Sequence, residues 1–187
     1  MEKLKIKQGK CGGELIGMGM ALLLALSLAL CTPLSAASPP AADSAEPALF
    51  FTLARGDTAI AEIKKPTLFL ATDAKTVARF AAWIKYNASA AKVAEVDFAT
   101  YLVVAVFADV RPSSGYGITI ERVERSDRGM TVTVALSGPP PGRAVATVIS
   151  FPYHVIAVPY KDVTKKPNTV WRVITTTGEE MITTTAP

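Results

Sequence analysis

Apolar residues fall in several rhythms along this chain, and each predicts a different element. Two short dense runs, ALFFTL at 48–53 and TLFLA at 67–71, suit strands. Gly56-Asp57 between them marks a turn, with a further short strand near Ile60. Then the spacing lengthens. Val77, Phe80, Ala81 and Ile84 recur every three or four residues, as on one helix face, and Trp83 widens it. Thr72 or Asp73 offers a side-chain oxygen to cap the free N–H groups, and Asn87 is the expected stop. This is the one helix predicted after residue 47. Phe80 and Trp83 are read as core rather than as a ligand cage, because a helix buries such a stripe.

From Tyr101 the pattern becomes that of strands. YLVVAVF at 101–107 is apolar throughout and reads as a buried strand. The segment DVRPSSGYGITI (109–120) must leave the core, turn and return: Pro112 sets one dihedral, and Gly115 supplies a positive φ. Ile118 and Ile120 alternate with polar neighbours until Val123 breaks the alternation, which predicts a bulge near Arg122. Ser126-Asp127-Arg128-Gly129 reads as a hairpin turn into an alternating strand at 130–136. Gly138-Pro139-Pro140-Pro141-Gly142 makes a stiff loop. Residues 143–158 read as one long interrupted strand, with Pro152 at an edge or a bulge because it lacks a ladder donor. VWRVIT (170–175) is a further strand, and 176–187 is a threonine-rich tail expected to fray. Strands that pair locally, with one packed helix, predict an α+β domain that is mainly antiparallel sheet, a sandwich or a partly open barrel.

The first residues change the picture of where the protein works. Lys3, Lys5, Lys7 and Lys10 precede an apolar segment at 15–30, followed by small residues and prolines. That order is a secretory signal peptide over residues 1–37, with cleavage expected before Ser38, and the apolar stretch is short for a membrane span, which needs about 20 residues. An uncleaved signal anchor is the weaker reading. Leu28-Ala29-Leu30-Cys31 resembles a lipoprotein box, with Leu30 where Gly, Ala or Ser is usual, so lipidation of Cys31 stands beside simple removal of the segment. A Pro/Ala-rich linker covers 38–47, and the domain covers 48–175. The two cysteines, Cys11 and Cys31, both lie in or beside the leader, so the mature domain has no disulfide framework, thiol nucleophile or thiolate metal site. The expected location is the periplasm or cell envelope, including its outer surface.

The formal net charge of +4 owes much to the leader lysines. The remaining basic residues are scattered, with only Lys64-Lys65 and Lys165-Lys166 adjacent, and no basic stripe interleaves with aromatics. Nucleic acid is therefore not an expected partner. Membrane contact is expected only through the lipid or an uncleaved signal. The single histidine, His154, sits among apolar residues, where a packed or hydrogen-bonded role outweighs catalysis: a base needs a nucleophile and an orienting group in reach. No G-x-S-x-G elbow and no phosphate-cradling glycine loop occurs, and Glu121 and Glu124 have no metal-ligand spacing. No cofactor, metal or catalytic residue is expected.

Three segments, VDFATYLVVAVFADVRPSSGYGITIERV, LSGPPPG and SFPYHVIAVP, together resemble the C-terminal domain of PrcB, a subunit of a bacterial surface protease complex. The resemblance runs over 96–159, and the preceding helix with Trp83 is similar too. It is carried by the apolar strand after Asp97-Phe98, the R-P-x-x-G-Y turn, the P-P-G turn and the P-Y-H strand. Asp109 departs from it, standing where the family usually has Gly. The resemblance implies an accessory domain that associates with a protease and supports its assembly or stability without being a peptidase.

Arg111, Pro112, Ser113, Ser114, Gly115 and Tyr116 are accordingly read as a partner-binding loop, with Pro141, Gly142, Pro152, Tyr153 and His154 as a secondary turn and strand. Tyr and Arg are enriched at interface hot spots. The local alternative is that Arg111 bonds loop carbonyls and Tyr116 folds back over the sheet end. Three functions are weighed. The first is an exported, non-catalytic protein that docks on a protease or other envelope complex. The second is a cysteine-protease inhibitor similar to chagasin, since RPSSGY resembles the N-P-T-T-G-Y-like wedge loop of that family. The chain departs from that loop in its first residue, lacks an R-P-W loop and a glycine-rich middle loop, and adds a helix. The third, an enzyme of unfamiliar type, has no motif behind it.

Overall fold

The computed structural model describes residues 44–58, 63–84, 87–164 and 166–186. The leader, Cys31, the first part of the linker, the strand expected near Ile60 and Lys165 of the second lysine pair lie outside the described residues. The elements are β1 (Glu46–Pro47), β2 (Phe51–Thr58), β3 (Thr67–Ala71), α1 (Ala74–Ala81), α2 (Asn87–Ala94), β4 (Tyr101–Phe107), β5 (Gly117–Ser126), β6 (Gly129–Ser137), β7 (Phe151–Pro159), β8 (Val170–Thr175) and β9 (Glu180–Thr185). They form a five-stranded sheet in the order β1-β5-β6-β8-β9 and a four-stranded sheet in the order β2-β7-β4-β3. This is the α+β, mainly antiparallel class expected, built as two separate sheets rather than a closed barrel. One pair, β6 with β8, is parallel, because the chain crosses to the other sheet as β7 and returns.

The four-stranded sheet is buried on both faces, which is why its two central strands are apolar without alternation. Leu102, Val104 and Val106 of β4 join Ile156 and Val158 of β7 against Ile118, Ile120, Val132 and Trp171 of the five-stranded sheet. The residues between them, Val103, Ala105, Phe107, Tyr153 and Val155, pack on Val77, Phe80 and Val93 of the helices. The layers are therefore sheet, sheet, helices. Phe80 is fully buried, and Trp83 lies 5.2 Å from Phe69 and 5.6 Å from Phe107, ring centroid to centroid, edge to face. The aromatic stripe is core.

Local chemistry explains several boundaries. Asp73 caps α1: its Oδ1 accepts the Thr76 N–H at 2.8 Å, and this bond holds its carboxyl below the ordinary range. The bulge expected near Arg122 is present as a register shift between Ile120 and Arg122. The hairpin closes with Ser126 opposite Gly129. Gly129 has φ 137°, and a Cβ there would stand 2.1 Å from the Val170 carbonyl oxygen, so only glycine lets β8 lie this close.

Five expectations change. Gly56-Asp57 makes no turn: β2 runs through both residues, which stand opposite Tyr153 and Pro152 of β7. Asn87 does not end the helical region; it opens a second helix, α2, so two helices cover the sheet. Propensity misleads there because Asn suits a helix start as well as a stop. The tail does not fray along its length, since β9 pairs with β8 from Val170↔Thr185 to Ile174↔Glu180. Residues 143–149 carry no strand, and β7 begins only at Phe151. Pro152 is on neither an edge nor a bulge. It is the second residue of a central strand, standing opposite Asp57, and its carbonyl accepts the Ala108 N–H at 2.8 Å. A proline is tolerated near a strand's start, where the missing donor interrupts little of the ladder.

Candidate functional site: a cross-bonded loop pair and a buried histidine

The turn between β4 and β5 is held by the segment that precedes β7. Arg111 and Ser150 exchange backbone hydrogen bonds, 2.9 Å and 3.0 Å, as an isolated bridge. The Ser150 hydroxyl donates to the Ser113 carbonyl at 2.9 Å. The Ser114 N–H donates to the Ala146 carbonyl at 3.0 Å, and the Ala146 N–H returns a bond to the Ser114 hydroxyl at 3.1 Å. Gly115 has the expected positive φ, 89°, and a Cβ there would lie 3.2 Å from Pro139 Cβ and 3.3 Å from a Val145 methyl. The serines thus stitch one loop to the other, and the glycine allows the contact.

The Arg111 guanidinium lies 2.6 Å from Asp109 Oδ1 and 5.6 Å from the centroid of the Tyr116 ring. Arg111 therefore pairs with a carboxylate and stacks on an aromatic face, rather than bonding loop carbonyls with its side chain. Asp109, the residue that departs from the family pattern, is its partner. Pro141 and Gly142 are exposed at the tip of the supporting loop, Gly142 with φ 74°. Val110, Val148 and Ile149 are exposed on either side of the Arg111–Ser150 bridge, the last two at 53% and 59%. Sequence reading missed these three; for Val148 and Ile149 the only signal was that RAVATVIS continues a strand-like run with no regular polar alternation.

Pro152, Tyr153 and His154 are not part of that surface. All three are buried, and His154 is 2% exposed. The Ile120 N–H donates to His154 Nδ1 at 2.7 Å, and Nε2 lies 3.0 Å from Thr52 Oγ1. A backbone N–H can only donate, so Nδ1 carries the lone pair and Nε2–H donates to Thr52. Burial, and then the nearby Arg55 cation, lower the imidazole from 6.5 to about 4. The ring is a neutral clamp between β2, β7 and β5, with both nitrogens engaged. Among the described residues, no group of three or more His, Cys, Asp or Glu is placed to hold a metal ion, and no helix is long and apolar enough to cross a membrane.

Residues 102–159 match the family model described as PrcB C-terminal. Over that stretch the chain is PrcB-like. The match runs from the second residue of β4 to the last of β7, and so contains both stitched loops and His154. It covers under a third of the 187 residues; the helices, β1–β3, β8 and β9 lie outside it. No curated protein and no solved structure matches the chain.

Proposed function

We propose that this PrcB-like chain is an exported, non-catalytic accessory protein that docks on a protease or another cell-envelope complex through its stitched loops. The observation that carries this reading is the loop pair itself. Arg111 and Tyr116 are held in a fixed stack beside exposed Val110, Val148 and Ile149, and the backbone beneath them is bonded across from 111–114 to 146–150. A preformed surface that mixes an aromatic, an arginine and aliphatic side chains binds with little ordering cost. The engagement of both His154 nitrogens supports a non-catalytic role, since a general base needs an accessible lone pair. The basic, apolar and small-residue leader supports export.

The test is in-cell cross-linking and mild extraction of the tagged chain from the producing cell's envelope. A protease component in stoichiometric amount, lost with Tyr116→Ala and with Ile149→Asp while both variants stay folded, is the expected result. Recovery of no stoichiometric component, or full retention by both variants, overturns the reading. Inhibition of papain by the purified domain would instead favour the wedge-loop alternative. Mass measurement of the mature N-terminus reads cleavage before Ser38 and lipid on Cys31 together.

A further inference from the structure

We infer that His154 is an acid-released latch that ties β5, and the turn leading into it, to the four-stranded sheet. This goes beyond the docking reading and does not depend on it. β1 and Ala48 accompany β5 only from Val123 onward, so among the described residues the outer edge of β5 has no paired strand at Ile120. Its N–H is taken by an imidazole from the other sheet. Ile120 is four residues beyond Tyr116, so this bond anchors β5 close to where the RPSSGY turn enters it.

The surroundings make the bond conditional on charge. From β2, Thr52 meets Nε2 and Arg55 stands opposite His154, its guanidinium donating to Thr119 of β5 at 3.3 Å. Asp57 stands opposite Pro152, two residues along. From β4 the neighbour is Val106 and from β5 the contact is Ile120, both uncharged, while Thr119 is taken by Arg55. Among the described residues, the charge that acts on the ring is the Arg55 cation. Protonation places an Nδ1–H against the Ile120 N–H, turning an accepted hydrogen bond into two opposed donors, and it puts a second positive charge beside Arg55. The response is opening of the β5 edge: Ile120 then rests on β6, with Arg55–Thr119 the remaining cross-sheet bond in this stretch among the described residues.

Amide hydrogen exchange and imidazole 15N shifts, followed by NMR on the wild-type domain from neutral pH to 4, test this. The expected result is that Ile120 exchange, corrected for its intrinsic pH dependence, speeds up about tenfold or more as the ring protonates. The amides of Val104 and Ile156 keep their protection. Unchanged Ile120 protection through ring titration overturns the latch, and so does simultaneous loss at all three amides. His154→Asn keeps an acceptor at the Nδ1 position and cannot titrate, so the acid acceleration should vanish; its persistence would also overturn the inference. The wild-type titration decides the matter alone if that variant does not fold.

Discussion

Residues 143–150 and 151–159 are adjacent and both rich in Val, Ile and Ala, and they end in opposite environments. In β7 every residue is buried, with β2 on one side, β4 on the other and packed layers on both faces. In the preceding segment only Ser150 is buried, and it alone forms a bridge, to Arg111. Apolar, β-branched composition was common to both. The difference is that, among the described residues, β4 ends at Phe107 and β2 at Thr58, so the segment has no regular strand neighbour and meets an irregular turn instead. Strand formation is decided by the partner as much as by the residues, and what remains unpartnered is left as surface.

The largest expected effect comes from cutting into the buried half. Ile156→Ala should cost about 2–5 kcal/mol in urea unfolding, whereas Ile149→Ala should stay within about 0.5 kcal/mol. Equal costs would erase the distinction between the two segments.

Next is acidity. Between pH 6.5 and 4 the unfolded chain holds a proton on His154 that the native chain does not. Stability contributed by the neutral ring is therefore complete above 6.5 and is lost on acidification toward 4, about 3 kcal/mol across the window. Unfolding in urea at a series of pH values reads this slope, and His154→Asn should flatten it.

A smaller effect is expected where the two loops touch. Gly115→Ala forces a side chain into a positive φ and against Pro139, and should lower stability by about 1–2 kcal/mol. The same variant should speed exchange at the Ser114 and Ala146 amides; unchanged exchange would show that the stitching does not depend on the glycine. Smallest in stability and largest in binding, Val148→Asp should leave the unfolding midpoint nearly unmoved while abolishing partner capture.

Much of this was legible beforehand, for reasons that can be named residue by residue. The cap at Asp73, the positive φ at Gly115, the bulge before Arg122 and the 126–129 hairpin are local, each set by the sterics or hydrogen bonding of a few neighbours. The second helix was hidden because NASAAKVA has little apolar periodicity and is held by burial of Val93. The tail was hidden because EMITTT is a strand only once β8 is beside it. At the site, Arg111 and Tyr116 could be picked out as residue types, but not the Asp109 carboxylate that pairs with Arg111 nor the Ser113, Ser114 and Ser150 bonds, which span more than thirty positions.

Taken alone, the order of residues determined the class of fold, the absence of cysteine from the domain, the positive φ at Gly115, the 126–129 hairpin and the PrcB-like stretch, since each follows from composition or from motifs along the chain. Tertiary structure decided which apolar run became a central strand and which stayed exposed, and it placed His154 between two sheets rather than at a surface. These outcomes depend on distant partners: an edge is free, a ring is clamped or a strand is paired only when another part of the chain arrives or fails to arrive.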